Sequence, residues 1–276
     1  MPRRLGQHFL RPESVERLIR VIAPGPDDCF LEIGPGQGAL TLPLAKAAGK
    51  VVAVELDSGL ARALRSRAPA NVSIVDGDAL GVDLTSLVPR GARLVGNLPY
   101  YISSPLLRRF LDLADHIEDL HVMLQEEVAL RVASAPGSRD YGILSVLYGL
   151  FAEPIIALRF LPEAFVPPPK VNSALLRVRF AGANRPEPLP LDPFERFLQK
   201  AFARRRRTLE NNLQDSYANL KYHLRFLDIE GTRRPETLSV VEFASLYRAL
   251  QGPSQATDDP RSVRFPAPAD PPGRLG

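Results

Sequence analysis

The chain has 276 residues, of which 45% are hydrophobic and 24% charged, and its formal net charge is +4. This length suffices for one large domain and a small one, and the composition excludes a disordered or fibrous class. A single cysteine excludes a disulfide framework and a cysteine-based zinc site. No apolar run approaches the roughly 20 residues of a membrane span, so we expect a cytoplasmic protein that binds no membrane.

The chain begins with a helical pattern and then alternates short apolar runs with further helical patterns. From Pro12 the spacing of Val15, Leu18 and Ile22 predicts an amphipathic helix. The apolar runs that follow are CFLEIG, VVAVEL, VSIVDG, RLVGN and LHVMLQ. Their alternation with helices predicts βαβ units and a mostly parallel sheet, and Cys29 in the first run is typical of a small buried hydrophobe.

The patterns change in the second half of the chain. IIALRF and ALLRVRF lie close together around the proline-rich turn FVPPPKV, so we predict an antiparallel pair that closes the sheet. Residues 181–193 are typical of a linker. Beyond it, apolar residues from Phe194 to Phe202 recur at helical spacing, and the capping box Ser239-Val-Val-Glu242 predicts the start of a last helix.

These patterns divide the chain into three segments. We predict an α/β domain over residues 1–183 and a small all-helical domain over residues 190–250. Residues 251–276 contain six prolines and few large apolar groups, which is typical of a disordered tail.

A glycine-rich segment after the first strand pattern predicts a cofactor site. In Leu31-Glu-Ile-Gly-Pro-Gly-Gln-Gly38 the glycines let the backbone turn tightly and approach a ligand at a helix N-terminus. Glu55 ends the second strand, where a carboxylate can accept both hydroxyls of a ribose, and Asp78 follows the third, where it can accept a hydrogen bond from an adenine amine. The spacing G-x-G-x-G after Glu32 favours S-adenosylmethionine over a dinucleotide. Each feature alone also fits an ordinary loop or a helix cap.

The stretch Gly96-Asn-Leu-Pro-Tyr-Tyr-Ile-Ser103 predicts a catalytic site, because Asn97 ends the fourth strand at the carboxyl edge of the sheet. An exocyclic aromatic amine is a poor nucleophile, so hydrogen-bond acceptors must stabilise its partly cationic form during methyl transfer. The Asn97 side-chain oxygen and the Leu98 carbonyl can accept, Pro99 fixes the turn, and Tyr100 can stack on a flipped base. The alternative is an Asn-Pro turn with a packed tyrosine.

Taken together, the motifs resemble those of the small-subunit ribosomal RNA adenine N6-dimethyltransferases, over residues 5 to about 250. They are GQHFL, EIGPGQGALT, VELD, GDAL, GNLPYYISSPLL, FVPPPKVNSALL and AFARRRRTLENNL. The resemblance implies a Rossmann-like S-adenosylmethionine-dependent methyltransferase fold, with a seven-stranded sheet and a small C-terminal helical domain. It also implies dimethylation of two adjacent adenines in a hairpin near the 3′ end of 16S rRNA, within the small ribosomal subunit or its precursor. We expect a monomer and no metal.

The resemblance also carries over individual residues. In the family an aromatic from the F-x-P-x-P-K-V loop lies across the target base, which falls on Phe165; the alternative is an anchor for the proline-rich turn. We place Tyr101 in the core or behind the site. The family more often has Asn where His8 stands, and a backbone contact would survive this change. We therefore expect His8 to contact the cofactor through its side chain or its backbone. The implied cofactor contacts are His8, Leu10, Gly34, Gly36, Glu55, Leu56, Asp78, Ala79 and Asn97.

Basic residues supply the candidate RNA contacts. Arg204, Arg205, Arg206 and Arg207 follow the first C-terminal helix, which also carries Arg196 and Lys200. Such a run is usually a solvated face, but beside an adenine-modifying site it favours contact with RNA phosphates. Lys170 is a further candidate, and Arg3, Arg4 and Arg11 are weaker ones.

Three other functions are compatible with parts of this pattern. The first is an adenine methyltransferase of large-subunit rRNA of the antibiotic-resistance type, against which Leu98 and RRRRTLENNL argue. The second is an RNA-assembly factor on the same fold with little catalysis, which the intact Asn97 to Tyr100 motif disfavours. The third is a nicotinamide oxidoreductase, which the glycine spacing disfavours.

Overall fold

A computed structural model of the chain describes residues 8–180 and 189–252. They form two units: residues 8–135 with 140–180, and residues 136–139 with 189–252. Arg3, Arg4 and the predicted tail from residue 253 onward lie outside the described residues. Within the described ranges, no helix combines the length and the apolar character needed to cross a membrane.

The first unit contains nine strands and six helices among its described residues. The α-helices and strands are β1 (Phe9–Leu10), α1 (Pro12–Ile22), β2 (Cys29–Ile33), α2 (Thr41–Ala45), β3 (Lys50–Glu55), α3 (Ser58–Arg65), β4 (Val72–Asp76), β5 (Ala92–Asn97), α4 (Ser103–Leu111), β6 (Ile117–Gln125), α5 (Glu126–Ala133), α6 (Ile143–Gly149), β7 (Ile155–Phe160), β8 (Phe165–Val166) and β9 (Ser173–Arg179). Short 3-10 turns cover residues 84–86, 100–102 and 162–164.

Seven of these strands form one sheet in the order β4-β3-β2-β5-β6-β9-β7. The first five are parallel, and β9 is antiparallel to both of its neighbours, β6 and β7. The predicted mostly parallel seven-stranded sheet and its antiparallel closing pair are therefore confirmed. The chain leaves β2 toward β4 on one side and later continues from β5 toward β6 on the other. A topological switch point thus lies between β2 and β5, where open α/β sheets form their binding crevices.

The predicted first helix has the expected boundaries and buried face. Pro12 occupies the first turn, where its missing N–H costs nothing, and the helix ends at Ala23, whose φ of 48° is left-handed. Val15, Leu18 and Ile22 are buried against the sheet core, which includes Phe30 and Val51. Cys29 is half-buried, and this burial raises the pKa of its thiol, so the cysteine stays protonated as a packing residue.

A separate two-stranded antiparallel sheet pairs β1 with β8. Phe9 lies opposite Val166, and Leu10 lies opposite Phe165. The sequence patterns did not predict either strand. This sheet attaches the first described residues of the chain to the FVPPPK segment.

The second unit is all-helical among its described residues. Its α-helices are α7 (Leu191–Ala201), α8 (Leu209–Leu213), α9 (Leu220–Phe226) and α10 (Val240–Leu250), with a 3-10 turn over residues 235–237. The predicted linker, residues 181–193, ends too late, because α7 already begins at Leu191. The capping box is confirmed: the Ser239 hydroxyl accepts from the Glu242 N–H at 3.1 Å, and the Glu242 carboxylate accepts from the Ser239 N–H at 2.7 Å.

Candidate active site

The glycine-rich turn after β2 requires glycine for two different reasons. Gly34, Gly36 and Gly38 have φ values of 70°, 55° and 80°, a region that other residues enter at a cost. At Gly38 an added Cβ would lie 2.5 Å from Cδ1 of Leu64, so packing also excludes a side chain. At Gly34 an added Cβ would meet nothing within 4 Å, and this residue lines the pocket. A ligand can therefore approach the backbone closely at Gly34.

Glu55 at the end of β3 connects the glycine turn to the next helix. Its carboxylate accepts from the Gly36 N–H at 2.9 Å and from the Asp57 N–H at 3.0 Å. Asp57 in turn caps α3 by accepting from the N–H groups of Gly59 and Leu60. Each carboxylate oxygen accepts one bond and has a second lone pair, so both can still accept a hydroxyl of a ribose. The Glu55 side chain is thus held in place and chemically available.

Asp78 and two apolar neighbours form the next part of the pocket. Oδ1 of Asp78 accepts from the Leu80 N–H at 2.9 Å, and this bond leaves Oδ2 to accept from a ligand amine. The alternative role as a helix cap is wrong, because this bond closes a turn over residues 78–81 and no helix begins there. Leu56, 49% exposed, and Ala79 also line the pocket and can contact the faces of a flat ring.

Asn97 ends β5 and has a defined side-chain orientation. Its Nδ2 donates to the main-chain carbonyl of His8 at 2.9 Å. A carbonyl can only accept, so the amide nitrogen must face His8 and Oδ1 must face away from it. The preceding Gly96 is needed for strand packing, because a Cβ there would lie 2.7 Å from the Ile33 carbonyl.

The turn after Asn97 leaves one main-chain acceptor unused. The Leu98 N–H donates to the Met123 carbonyl at 3.1 Å, and the Pro99 carbonyl accepts from the Ser103 hydroxyl and the Ile102 N–H. No hydrogen bond from the described part of the chain reaches the Leu98 carbonyl. Leu98, Pro99 and Tyr100 all line the pocket together with Asn97. Two oxygen acceptors, the Asn97 side chain and the Leu98 carbonyl, are therefore available one residue apart.

The Tyr100 ring is fixed from two sides. Its hydroxyl shares a 2.6 Å hydrogen bond with the fully buried Ser173 at the start of β9, and partial burial raises the pKa of the phenol. The His8 ring stacks on Tyr100 with centroids 5.6 Å apart, and His8 Nδ1 donates to the Pro167 carbonyl at 2.7 Å. His8 thus reaches the site through both its backbone and its side chain. The sequence did not indicate the role of Ser173.

Two further aromatic residues, Phe165 and Tyr101, differ in burial from what the sequence led us to expect. Phe165 is 1% exposed, belongs to the hydrophobic core and is not among the residues that line the pocket. This burial supports the alternative role as an anchor for the proline-rich turn, and Phe165 pairs with Leu10 across the small sheet. Tyr101, which we expected in the core or behind the site, is instead 57% exposed and lines the pocket. Consecutive residues in a 3-10 turn point in different directions, and only Tyr100 finds a buried partner.

Glu32 is a buried carboxyl group in the wall of the same pocket. It is 2% exposed, and its Oε2 has no hydrogen-bond partner among the described residues. Burial raises the pKa of Glu32 to about 7; the Thr41 hydroxyl opposes this increase, and the negative charge of Glu55 adds to it.

The predicted cofactor-binding and catalytic residues line one pocket, except for Phe165. Its wall includes every predicted cofactor contact, namely His8, Leu10, Gly34, Gly36, Glu55, Leu56, Asp78, Ala79 and Asn97. Phe9, Ala39, Leu40, Ile102 and Leu106 also line it and were missed, because apolar residues in short turns carry no distinctive pattern.

The predicted RNA contacts are exposed in both units. In the second unit, Arg204, Arg205, Arg206 and Arg207 form an exposed turn after α7, with the Arg205 guanidinium donating to the Arg139 carbonyl. In the first unit, Lys170 is exposed on the FVPPPK segment. Arg11, a weaker candidate, donates instead to the Glu163 carbonyl at 2.8 Å.

Comparison with known proteins identifies close relatives. The family described as "Ribosomal RNA adenine dimethylase" matches residues 2–251. "Ribosomal RNA small subunit methyltransferase A" of Bordetella petrii is 44% identical over 257 residues, which cover 90% of this chain and 94% of the relative. The protein of the same name from Xylella fastidiosa is 42% identical over 258 residues, which cover 88% and 94%.

Two solved structures are similar over most of the chain. A dimethyladenosine transferase from Plasmodium falciparum has a TM-score of 0.74 and 25% identity, and the match covers 87% of this chain and 96% of that one. The 23S rRNA methyltransferase ErmE has a TM-score of 0.66 and 28% identity, with coverage of 88% and 99%. The Rossmann-like methyltransferase fold predicted from the motifs is confirmed by these similarities.

Proposed function

The chain belongs to the ribosomal RNA adenine dimethylase family, and on that premise we propose that it dimethylates two adjacent adenines of 16S rRNA. The proposed targets lie in a hairpin near the 3′ end, and the proposed setting is assembly of the small subunit in the cytoplasm. The names of the relatives that are 42–44% identical support the small subunit as the substrate. The likeness to ErmE, at 28% identity, makes the large subunit the main alternative.

The pocket fits S-adenosylmethionine as the methyl donor. In this proposal Glu55 accepts from two ribose hydroxyls, Asp78 Oδ2 accepts from the adenine amine, and Leu56 and Ala79 contact the ring; their hydrogen bonds and their positions in the pocket wall support these roles. Gly34 leaves room for a close backbone approach. When bound, S-adenosylmethionine supplies an electrophilic methyl group on a positively charged sulfur.

Asn97 and Leu98 supply the catalytic groups in this proposal. The adenine N6 becomes pyramidal and partly cationic as it attacks a methyl group, and its two N–H groups then need acceptors. Oδ1 of Asn97 and the carbonyl of Leu98 are preorganised for this purpose, so they stabilise the transition state without removing a proton from the neutral amine. The single observation that carries the proposal is the bond from Asn97 Nδ2 to the His8 carbonyl, because it fixes Oδ1 as an acceptor.

Tyr100 holds the target base. Its ring is fixed by Ser173 and His8, and a flipped adenine can stack on it in line with the methyl donor. Because a monomethylated amine must enter for the second transfer, the space near Asn97 must accept one methyl group. We propose that Arg204, Arg205, Arg206, Arg207 and Lys170 bind phosphates of the same RNA.

The most direct test is nucleoside mass analysis of rRNA from cells that lack the gene and then regain it. We expect dimethyladenosine to be absent from small-subunit rRNA in the deletion strain and restored by the wild-type gene, but not by Asn97→Ala. Restoration confined to large-subunit rRNA would establish the alternative substrate. Restoration by Asn97→Ala at wild-type level would remove the proposed mechanism, and a normal dimethyladenosine content in the deletion strain would remove the proposed function.

A further inference from the structure

Helix α9 (Leu220–Phe226) presents two aromatic side chains to solvent. Tyr222 is 67% exposed and Phe226 46% exposed, one helical turn apart. Leu220 and Leu224 on the opposite face are buried in the second unit, so the orientation of the helix is fixed by its packing. We call Tyr222 and Phe226 the aromatic strip.

The two rings of the aromatic strip are arranged as a pair. Their centroids lie 6.3 Å apart, and their planes differ by 17°. His223 contacts Tyr222 edge-on at 5.3 Å and supports it from the side. Adjacent exposed aromatic rings are unusual on a soluble surface that has no partner, because burying them would be favourable. The arrangement therefore indicates a binding surface for flat groups.

Two exposed cations lie on the neighbouring stripe of α9, about 100° around the helix axis from the rings. Lys221 directly precedes Tyr222, and Arg225 directly precedes Phe226; both are exposed. Lys221 forms an ion pair with Glu210 at 3.2 Å but is 80% exposed, which makes this pair weak. Arg225 takes part in no ion pair among the described residues of the second unit. A pair of aromatic rings with adjacent cations matches single-stranded nucleic acid, whereas lysine is depleted at protein interfaces.

We propose that the aromatic strip stacks on unpaired bases of the RNA substrate while Lys221 and Arg225 contact the neighbouring phosphates. This inference rests on the proposed function, in that the RNA is the substrate of the methyl transfer. It adds a contact that distinguishes unpaired from paired RNA at a surface of the second unit. The arginine run after α7 cannot make this distinction, because phosphate charges are present in both kinds of RNA.

The test compares two double variants of the whole protein. Tyr222→Ala with Phe226→Ala removes both rings, and Tyr222→Phe with Phe226→Tyr keeps them as a matched control. The probes are a hairpin from the 3′ region of 16S rRNA and a fully paired duplex of equal length, with binding followed by fluorescence anisotropy over a range of salt concentrations. Thermal unfolding of both variants checks that the second unit is intact.

We expect the double alanine variant to bind the hairpin about 10-fold or more weakly, with an unchanged salt slope and little change for the duplex. The matched control should bind both probes as the wild type does, and Arg225→Gln should lower the salt slope by about one.

Equal hairpin affinity of wild type and double alanine variant would overturn the proposal. A defect seen only with assembled small subunits would also overturn it, because the partner would then be a protein. Methyl transfer by the wild type, measured in the same preparation, tests the proposed function independently of the aromatic strip.

Discussion

The side-chain amide of Asn97 and the main-chain carbonyl of His8 are joined by a 2.9 Å hydrogen bond in which Nδ2 donates. These residues are 89 positions apart, and the bond determines which end of the amide faces the pocket. The site thus depends on a contact with the start of the described chain as well as on the strand that carries Asn97.

Replacing Asn97 by Ala removes the acceptor Oδ1 and should abolish methyl transfer while RNA affinity stays unchanged. Loss of one preorganised acceptor typically lowers kcat by about 100-fold or more. Methyl transfer from tritiated donor to unmodified small subunits, with RNA binding measured in parallel, checks this. Asn97→Asp is a second and more conservative test, because a carboxylate keeps an acceptor oxygen but cannot donate to the His8 carbonyl. It therefore loses the bond that orients the group. Turnover of either variant at the wild-type rate would contradict the assigned role.

Ser173 should act through Tyr100. Ser173→Ala and Tyr100→Phe each remove one end of the 2.6 Å hydrogen bond, so each should lower kcat by about 2- to 10-fold. The double variant should be no slower than either single one, because both lose the same interaction. Steady-state kinetics of all three variants give the comparison. Fully additive losses would show that Ser173 and Tyr100 act independently.

Substitutions at Gly34 and Gly38 should have different effects on folding stability and on cofactor affinity. Gly34→Ala and Gly38→Ala both place a side chain at a positive φ, and this backbone effect alone should cost about 1–2 kcal/mol of folding free energy at each position. Gly38→Ala should cost more than this, because its Cβ meets Leu64. Gly34→Ala, which adds a methyl group inside the pocket, should instead lose more affinity for S-adenosylmethionine. Denaturant titration and calorimetric binding measure the two effects, and equal losses of affinity would contradict the assignment.

Glu32 should make stability depend on pH. Its pKa is raised to about 7 in the folded protein, so the folded state binds more protons than the unfolded state between about pH 4.5 and 7. The stability contribution of neutral Glu32 is therefore complete below about pH 4.5 and is lost as the pH rises through 7. Glu32→Gln cannot ionise, so relative to the wild type it should gain on the order of 1–3 kcal/mol at pH 8 and almost nothing near pH 4.5.

Denaturant titrations across this pH range test the Glu32 prediction. Glu118→Gln is the matched control, because that carboxylate lies on the surface in a 3.4 Å pair with Arg179. The control should show no such gain between neutral and alkaline pH. A gain for Glu32→Gln that does not change with pH would show that the pKa of Glu32 is the same in the folded and unfolded states, and would contradict the prediction.

The arginine turn after α7 should contribute to RNA binding through its positive charge alone. Replacing Arg204 to Arg207 by Gln should weaken RNA binding and lower the salt slope by about one for each phosphate that is no longer neutralised. Arg179→Gln, which changes an exposed arginine on β9 of the first unit, is the matched control. Affinities measured over a range of salt concentrations give both slopes. An unchanged slope for the fourfold variant would exclude these residues as phosphate ligands.

The sequence predicted those features that local spacing determines. Helix α1, the parallel strands, the antiparallel pair β7–β9 and the capping box at Ser239 each have a period or a motif within a few residues. The glycine turn, Glu55, Asp78 and Asn97 were placed in one pocket for a related reason, since the carboxyl ends of parallel strands share one edge.

The features that the sequence did not predict depend on distant partners. The strands β1 and β8 have two residues each, too few for any alternation, and they form because Phe9–Leu10 and Phe165–Val166 pair with each other. The same pairing buries Phe165, which a motif alone could not reveal. Ser173 carries no signal until β9 places it beside Tyr100. Residues 136–139 join the second unit through contacts such as the bond from the Gly137 N–H to the Glu236 carbonyl.

The attachment of β1 to β8 affects when this protein becomes competent during its own synthesis. His8 is held by its bond to the Pro167 carbonyl and by the pairing of the next two residues with residues 165 and 166, so a nascent chain that has not yet emerged past Pro167 has no fixed acceptor for the Asn97 amide. The orientation of the Asn97 side chain is therefore complete only when residues 9 and 10 can pair with residues 165 and 166, after most of the first unit has been synthesised.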